Sequence, residues 1–530
     1  MSPTARPIRP GEERYSRQAA IFRQQHRQQT LLAEVCGADS PGASRALKAA
    51  AAGMGVSAIA SDYQGEFATQ AHWFLGPHGQ LVDTVNPEGV RYECLLPAAP
   101  AVGIRGLLPG RENAWAVVYV NDREAALLAL EGLEALERLR VLLVLAGPGG
   151  VAVRREPCPA AALATARSLS WGQPAPEGTA ELQLLAAGAC LNELVLGGAV
   201  EGDDLSQGRT VAFYSLHRPR RVDARFDAPF PDLTAEVGRP QPGDGPRASF
   251  SGRHAKLVGA GALGNWVALA MVFDGAVTME VLDCDPEVAP HNLNRQVLLI
   301  HGLGRGPKAP VLAEELAGLD PQGTYAARVV RVERPEDLGP LDGTDLVIGA
   351  PDNDAARQVC ADAAQDAGVL FGQGGTGATG GQESVHPPGR PCLRCVLGRP
   401  AGPPATGGGC IAVANDSIVS SNMVVAGLLV SELREALGGR RTQNIRFVGD
   451  GAGGNRLDRM PTDVACAHRV VGRGARVAER RSEDGRRRGI PVPAPGESAL
   501  SAAETSLSSA SPPPAVRARG IPAPREEACR

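Results

Sequence analysis

The stretch Lys256-Leu-Val-Gly-Ala-Gly-Ala-Leu-Gly264 constrains this chain more than any other. It reads as a short apolar strand, a glycine turn and the start of a helix. Gly259, Gly261 and Gly264 keep the G-x-G-x-x-G spacing. A second apolar strand follows, Thr278 to Leu282, and Asp283 stands at its end, nineteen residues after Gly264. Strand, turn, helix and acid at this distance make a nucleotide-binding βαβ unit. Gly259 permits the tight turn, Gly261 lets phosphate approach the backbone, and Gly264 lets helix and strand pack closely. The helix N-terminus offers phosphate its N–H groups and the positive end of a dipole.

Charged residues follow in a spacing that extends this site. Asn292-Leu-Asn-Arg295-Gln296 comes first, then Lys308, then an apolar strand from Asp345 that runs out into Asp352-Asn353. Doubly wound sheets bind ligands at the C-terminal ends of their strands, so Asp283, Asn292, Arg295, Lys308 and Asp352 can converge on one nucleotide. Asp283 accepts from ribose hydroxyls. Arg295 and Lys308 neutralise a triphosphate. Asp352 suits Mg²⁺ held among phosphate oxygens. A nicotinamide dehydrogenase has little use for a magnesium acid and a cation pair, so the set argues for ATP.

The glycine stretch has an earlier echo. Shifted by 222 residues without a gap, Gly37 falls on Gly259, Gly42 on Gly264, Gly53 on Gly275 and Ser61 on Asp283. The copy keeps the fold signals and loses the chemistry. Asp39 puts a negative side chain where the central glycine stood, and Ser61 replaces the acid. A second echo pairs Ala187-Gly188 and Glu193-Leu194 with Ala426-Gly427 and Glu432-Leu433. Together they predict an α/β chain of two Rossmann-like doubly wound domains in tandem, a degenerate half over 28–225 and a competent half over 251–472. Residues 226–250, rich in Pro, Asp and Gly, read as a linker. Residues 1–27 form an N-terminal segment. Residues 473–530 hold almost no large apolar side chain and are expected to be a disordered tail.

Composition excludes several classes. A net charge of −4 gives no sign of a nucleic-acid or membrane surface. No apolar run is long enough to span a bilayer, and charges and prolines stand where a signal peptide would have its apolar centre. A cytoplasmic protein is expected.

Gly259-Ala-Gly-Ala-Leu-Gly264, Asp283, Asn292-Leu-Asn-Arg-Gln296, Lys308 and Asp352-Asn353 together resemble the MoeB/ThiF/HesA and ubiquitin-activating enzyme superfamily. Arg14-Tyr-Ser-Arg17-Gln18 resembles the N-terminal segment of that family. The resemblance is strong over 255–470 and weak over 12–60. It implies ATP-dependent adenylation of a protein or peptide C-terminal carboxylate, with a small ubiquitin-like sulfur carrier or a precursor peptide as partner. It also implies a dimer or pseudodimer in which an N-terminal arginine of one half reaches the other half's nucleotide. Here that arginine is Arg14, with Arg17 the near alternative. The rival expectations are a peptide-modifying enzyme of a natural-product pathway and a docking scaffold that has lost turnover.

Members of the family hold a structural zinc with two C-x-x-C pairs. Here Cys392 and Cys395 form the first pair, and Cys466 with His468 gives C-x-H in place of the second. Three cysteines and a histidine make an ordinary zinc tetrahedron. A redox C-x-x-C lacks any thioredoxin-like surroundings. Cys410, in a Gly/Pro-rich stretch, stands where some members carry a nucleophilic cysteine and others carry one without a covalent role.

Overall fold

The computed structural model describes residues 14–62, 91–217, 229–397, 416–460 and Cys466, with short gaps inside these ranges. The first sheet holds β1 (Thr30–Val35), β2 (Ala58–Ser61), β3 (Arg91–Cys94), β4 (Asn113–Tyr119), β5 (Arg140–Gly147), β6 (Gly150–Glu156) and β7 (Arg209–Ser215). The second holds β8 (His254–Val258), β9 (Thr278–Asp283), β10 (Thr324–Val329), β11 (Leu346–Gly349), β12 (Leu370–Thr376), β13 (Gly381–His386), β14 (Ile445–Asp450) and β15 (Gly454–Arg459). Strand order is β3-β2-β1-β4-β5-β6-β7 in one and β10-β9-β8-β11-β12-β13-β14-β15 in the other. Each sheet is parallel through its first five strands and antiparallel beyond. The same order therefore occurs twice, with β15 added at one edge. These are the two doubly wound units expected from the shifted repeat.

Helices cover both faces of each sheet, which is why central strands such as β4 and β5 are apolar almost throughout. Outside the first sheet lie α2 (Pro100–Leu107), α3 (Arg123–Leu133), α4 (Pro159–Arg167) and α6 (Phe230–Val237). Inside it lie α1 (Pro41–Met54) and α5 (Ala180–Ala199). In the second half, α7 (Ala262–Val272), α8 (Lys308–Leu319) and α11 (Val419–Leu437) face inward. The outward helices are α9 (Asp354–Ala367) and α10 (Leu393–Leu397). One buried cluster, from Leu32 and Trp115 through Leu191 to Trp266 and Leu429, runs through both inner layers. The halves therefore share a core.

The second echo explains how that core closes. Gly188 and Gly427, equivalent in the repeat, sit where α5 and α11 cross. A Cβ on Gly427 would stand 2.7 Å from the Glu181 carbonyl oxygen, so only glycine lets the backbones approach this closely. Polar contacts tie the same seam. The Arg434 guanidinium on α11 grips Glu181 of α5 through Nε at 2.8 Å and Nη2 at 3.0 Å, and also binds Asp274. Tyr214 on β7 donates to the Glu432 carboxylate.

The expected linker is corrected in part. Within 226–250 the chain forms α6, whose Phe230, Leu233 and Val237 are buried in the outer core of the first sheet. Pro229 and Gly238 are its caps. Proline and glycine at these places punctuate a short helix, and composition alone could not separate that from a linker. The predicted tail lies outside the described residues, as do Cys410 and His468. Among the described residues no helix is long and apolar enough to cross a membrane.

Candidate nucleotide site and cysteine cluster

Strand order reverses between β8 and β11, and the glycine turn leaves β8 at that point. Gly259 has φ +102°, a left-handed value that favours glycine, and a Cβ there would lie 2.5 Å from the Ala350 carbonyl oxygen. Gly264 lies against the turn itself: its Cβ would come within 1.9 Å of the Gly259 carbonyl oxygen. Gly261 differs, because a Cβ there would meet nothing within 4 Å. The space over the start of α7 is thus open, and no side chain caps that helix at Gly261. An uncapped N-terminus below open space is an anion cradle.

Asn265, which the sequence reading passed over, braces the turn. Its Nδ2 donates to the Ala260 and Gly261 carbonyls, both at 2.9 Å, and its Oδ1 accepts from Leu298 N at 3.1 Å. Trp266 Nε1 donates to the Arg295 carbonyl at 3.1 Å. The first turns of α7 thus hold both the glycine loop and the segment that carries Arg295. The available signal was a lone Asn in an otherwise apolar helix.

Asp283 ends β9 as expected. Its carboxylate accepts from Ala260 N at 2.6 Å and Asp285 N at 2.7 Å. Burial, with the charge of Asp285, raises its pKa. Lys308 starts α8 and its ammonium is paired with Asp285. Asn292 is buried and accepts from Ala289 N at 2.9 Å. Arg295 is buried too, donating to Asn294 Oδ1 at 2.8 Å, and burial followed by the charge of Arg17 brings its pKa down to about 10.

His291 reports how closely the cations gather. Burial, then the charges of Arg295, Arg17 and Lys308, push its pKa down to about 4, against the opposing pull of Asp285. Charges from three parts of the chain thus bear on one imidazole. One of them is that of Arg17, of the N-terminal segment. Arg14 is buried beside Tyr15, its guanidinium carbon 5.7 Å from the ring centre. Arg17 is held by its carbonyl, which accepts from Ser417 N of the second half at 2.7 Å.

Asp352 follows β11 on the loop next to Gly259, whose Cβ would be 2.9 Å from Pro351 N. It is exposed and takes a long hydrogen bond, 3.4 Å, from Asn353 Nδ2. Asn353 caps α9, so Asp352 is left out of the helix.

The first half spends the equivalent positions on structure. Ser61 donates to Glu34 at 2.7 Å, inside a buried group with Lys48, Ser44 and Tyr119. Asp62, one residue on, braces the loop by accepting from Cys36 N at 2.6 Å and Gly37 N at 3.0 Å. Pairing β4 with β1 and β11 with β8 sets Asp122 in the place of Asp352. Asp122 caps α3 through Glu124 N and Ala125 N. Burial and the charges of Asp122 and Asp62 hold the Asp39 pKa up at about 6. An anion would meet three acids here.

Cys466 converges with the Cys392–Cys395 pair from 71 residues beyond Cys395. Cys466 Sγ lies 3.7 Å from each of the other two sulfurs. Thiolates around zinc at about 2.3 Å stand about 3.8 Å apart, the edge of the tetrahedron. The donor set therefore fits zinc, with one corner left for a fourth ligand.

The fold and the crossover define a doubly wound domain with an anion cradle at its switch point. Residues 246–455 match the model of the ThiF family, so the second half of this chain is a ThiF-family domain. A sulfur carrier protein adenylyltransferase of Thermus thermophilus is 34% identical over 155 residues, 28% of this chain and 57% of the relative. A SAMP-activating enzyme E1 of Haloferax volcanii is 30% identical over 141 residues, 27% of this chain and 52% of the relative. The chain thus spans about half the length of the curated relatives it matches. Among solved structures, E. coli MccB with ATP aligns at 16% identity over 42% of this chain and 67% of that chain, with a TM-score of 0.35.

Proposed function

We propose that this protein is an ATP-dependent adenylyltransferase acting on the C-terminal carboxylate of a small ubiquitin-like sulfur carrier or a peptide, in the cytoplasm. The observation that carries the reading is the open cradle at Gly261, with Asp283 bonded to the turn at Ala260 N and Lys308 paired with Asp285 two residues on. The two curated relatives, by their names, act on a sulfur carrier and on SAMP, which supports this substrate class.

In this reading ATP lies over Gly259, Gly261 and Gly264, with its ribose on Asp283 and Asn292 turned toward it. A carboxylate oxygen of the partner attacks the α-phosphorus. The bond to the β-phosphate breaks, and pyrophosphate leaves with the electron pair. The attacking group is already anionic, so neutralising charge matters more than a base. Arg295, Lys308 and an N-terminal arginine supply it, either Arg14 or Arg17, of which Arg17 has the charge that bears on Arg295. Magnesium, held by Asp352, would add positive charge between phosphate oxygens.

The halves 28–225 and 251–472 act as a fused pseudodimer, with the arginine supplied from the N-terminal segment 1–27 and a docking face from the first half. Zinc held by Cys392, Cys395 and Cys466, with His468 as fourth ligand, would pin the C-terminal strand of chain to α10. Cys410 is a candidate acyl acceptor. Its thiolate would attack the acyl adenylate, release AMP and form a thioester, and unchanged product formation in Cys410→Ala would assign it to the loop alone.

Pyrophosphate–ATP exchange in the presence of small proteins ending in Gly-Gly tests the proposal. Exchange that depends on the partner's free C-terminus is expected. Neither exchange nor ATP binding with any partner would leave a docking scaffold.

A further inference from the structure

Gln18 is fully buried, and both ends of its amide are used. Its Nε2 donates to the Met54 carbonyl at 2.8 Å. Its Oε1 accepts from Asn294 Nδ2 at 3.2 Å. Asn294, also buried, accepts at Oδ1 from Arg295 Nη1 at 2.8 Å. Met54 belongs to the last turn of α1, where carbonyls lack helical partners. A continuous line of hydrogen bonds thus runs from the degenerate half to the arginine of the other half.

Its direction is fixed by its ends. A carbonyl can only accept, so Gln18 must turn its NH₂ to Met54. A guanidinium can only donate, so Asn294 must turn its oxygen to Arg295. What remains, the Asn294 NH₂ and the Gln18 oxygen, matches. Neither amide can flip without leaving buried groups unpaired, and such a loss is expensive inside a protein.

We propose that Gln18 is a positioning residue for Arg295. Through Asn294 it sets the guanidinium's orientation from α1, which makes the first half part of the nucleotide site without binding nucleotide. This gives the degenerate glycine turn a reason to persist: α1, the helix that follows it, anchors the relay. The inference rests on the proposed role of Arg295 as a phosphate ligand.

The test uses the full chain, ATP affinity by calorimetry and exchange kinetics. Gln18→Met keeps the volume and removes both hydrogen bonds. It is expected to weaken ATP binding and lower kcat by about 10–100-fold, since small displacements of a positioned group have effects of that size. In an Arg295→Ala background the same substitution should change nothing further, because the two act as one unit. Asn294→Ala, which leaves the first half untouched, should give the same loss and the same non-additivity. It carries the test if Gln18→Met does not fold. Wild-type affinity in either variant overturns the relay, and so does a loss that adds in full to that of Arg295→Ala, which would mean general structural damage. Absence of ATP binding in the wild-type protein overturns the reading of the site itself.

Discussion

Gly188 on α5 lies directly against Met423 on α11: a Cβ on the glycine would stand 2.8 Å from the methionine Cβ. The relation is returned from the other side, where a Cβ on Gly427 would stand 2.8 Å from that of Leu185. Two equivalent helices of a duplicated fold thus pack on each other through equivalent glycines. Gly427→Ala should therefore destabilise the protein by about 1–3 kcal/mol through overpacking. A denaturant titration checks this, and an unchanged midpoint would mean the helices part more easily than their spacing implies.

The three glycines of the turn should separate fold from binding. Gly264→Ala drives a Cβ into the Gly259 carbonyl and should lower the melting temperature sharply. Gly261→Ala meets no protein atom within 4 Å, so the fold should hold while nucleotide affinity falls at least about tenfold. Melting curves and calorimetry on the same two preparations decide it. Equal losses of stability would contradict the separation.

Asp352→Ala removes an exposed carboxylate that no helix depends on. Stability should stay within about 0.5 kcal/mol of wild type. Pyrophosphate exchange should fall by about 100-fold or more if this acid holds the magnesium. Retained exchange would show that another group carries the metal.

The cysteine cluster should hold close to one zinc per chain by elemental analysis. Cys395→Ser should lose most of it, because one thiolate is removed from the set, and treatment with a strong chelator should lower the melting temperature of the wild type but not of the variant. Zinc retained in Cys395→Ser would place the ion elsewhere.

His386 predicts an acid sensitivity. Its Nδ1 faces the Pro391 carbonyl at 2.8 Å and so carries the proton, while Nε2 lies 2.9 Å from Ser384 Oγ. Burial pushes its pKa from 6.5 down to about 4. The unfolded chain therefore binds this proton more readily. Stability from the neutral ring is complete above pH 6.5 and is lost as pH falls through about 4, on the order of 3 kcal/mol in all. His291 acts in the same direction. Glu432, held up at about 7 by burial, acts in the opposite one, its contribution fading as pH rises toward that value. Comparing His386→Gln with wild type isolates the histidine: the variant should lose less stability between pH 6.5 and 4, as read by unfolding titrations at each pH.

The sequence by itself determined the nucleotide half. Gly259, Gly261, Gly264 and Asp283 are local in the chain, and the conformations they need follow from glycine's freedom and the period of strand and helix. The duplication was legible for the same reason, since spacing survives where chemistry does not. Tertiary structure decided the rest. The charge of Arg17, carried by the N-terminal segment, bears on Arg295, a relation no local spacing foretells. Asp62 rather than Ser61 braces the loop because the Ser61 hydroxyl is taken up in the buried group around Glu34 and Lys48. Asn265 and Gln18 act through partners 33 and 276 residues away. Pairings at such distances arise only when the folded chain brings remote segments together, and no local pattern in the chain encodes them.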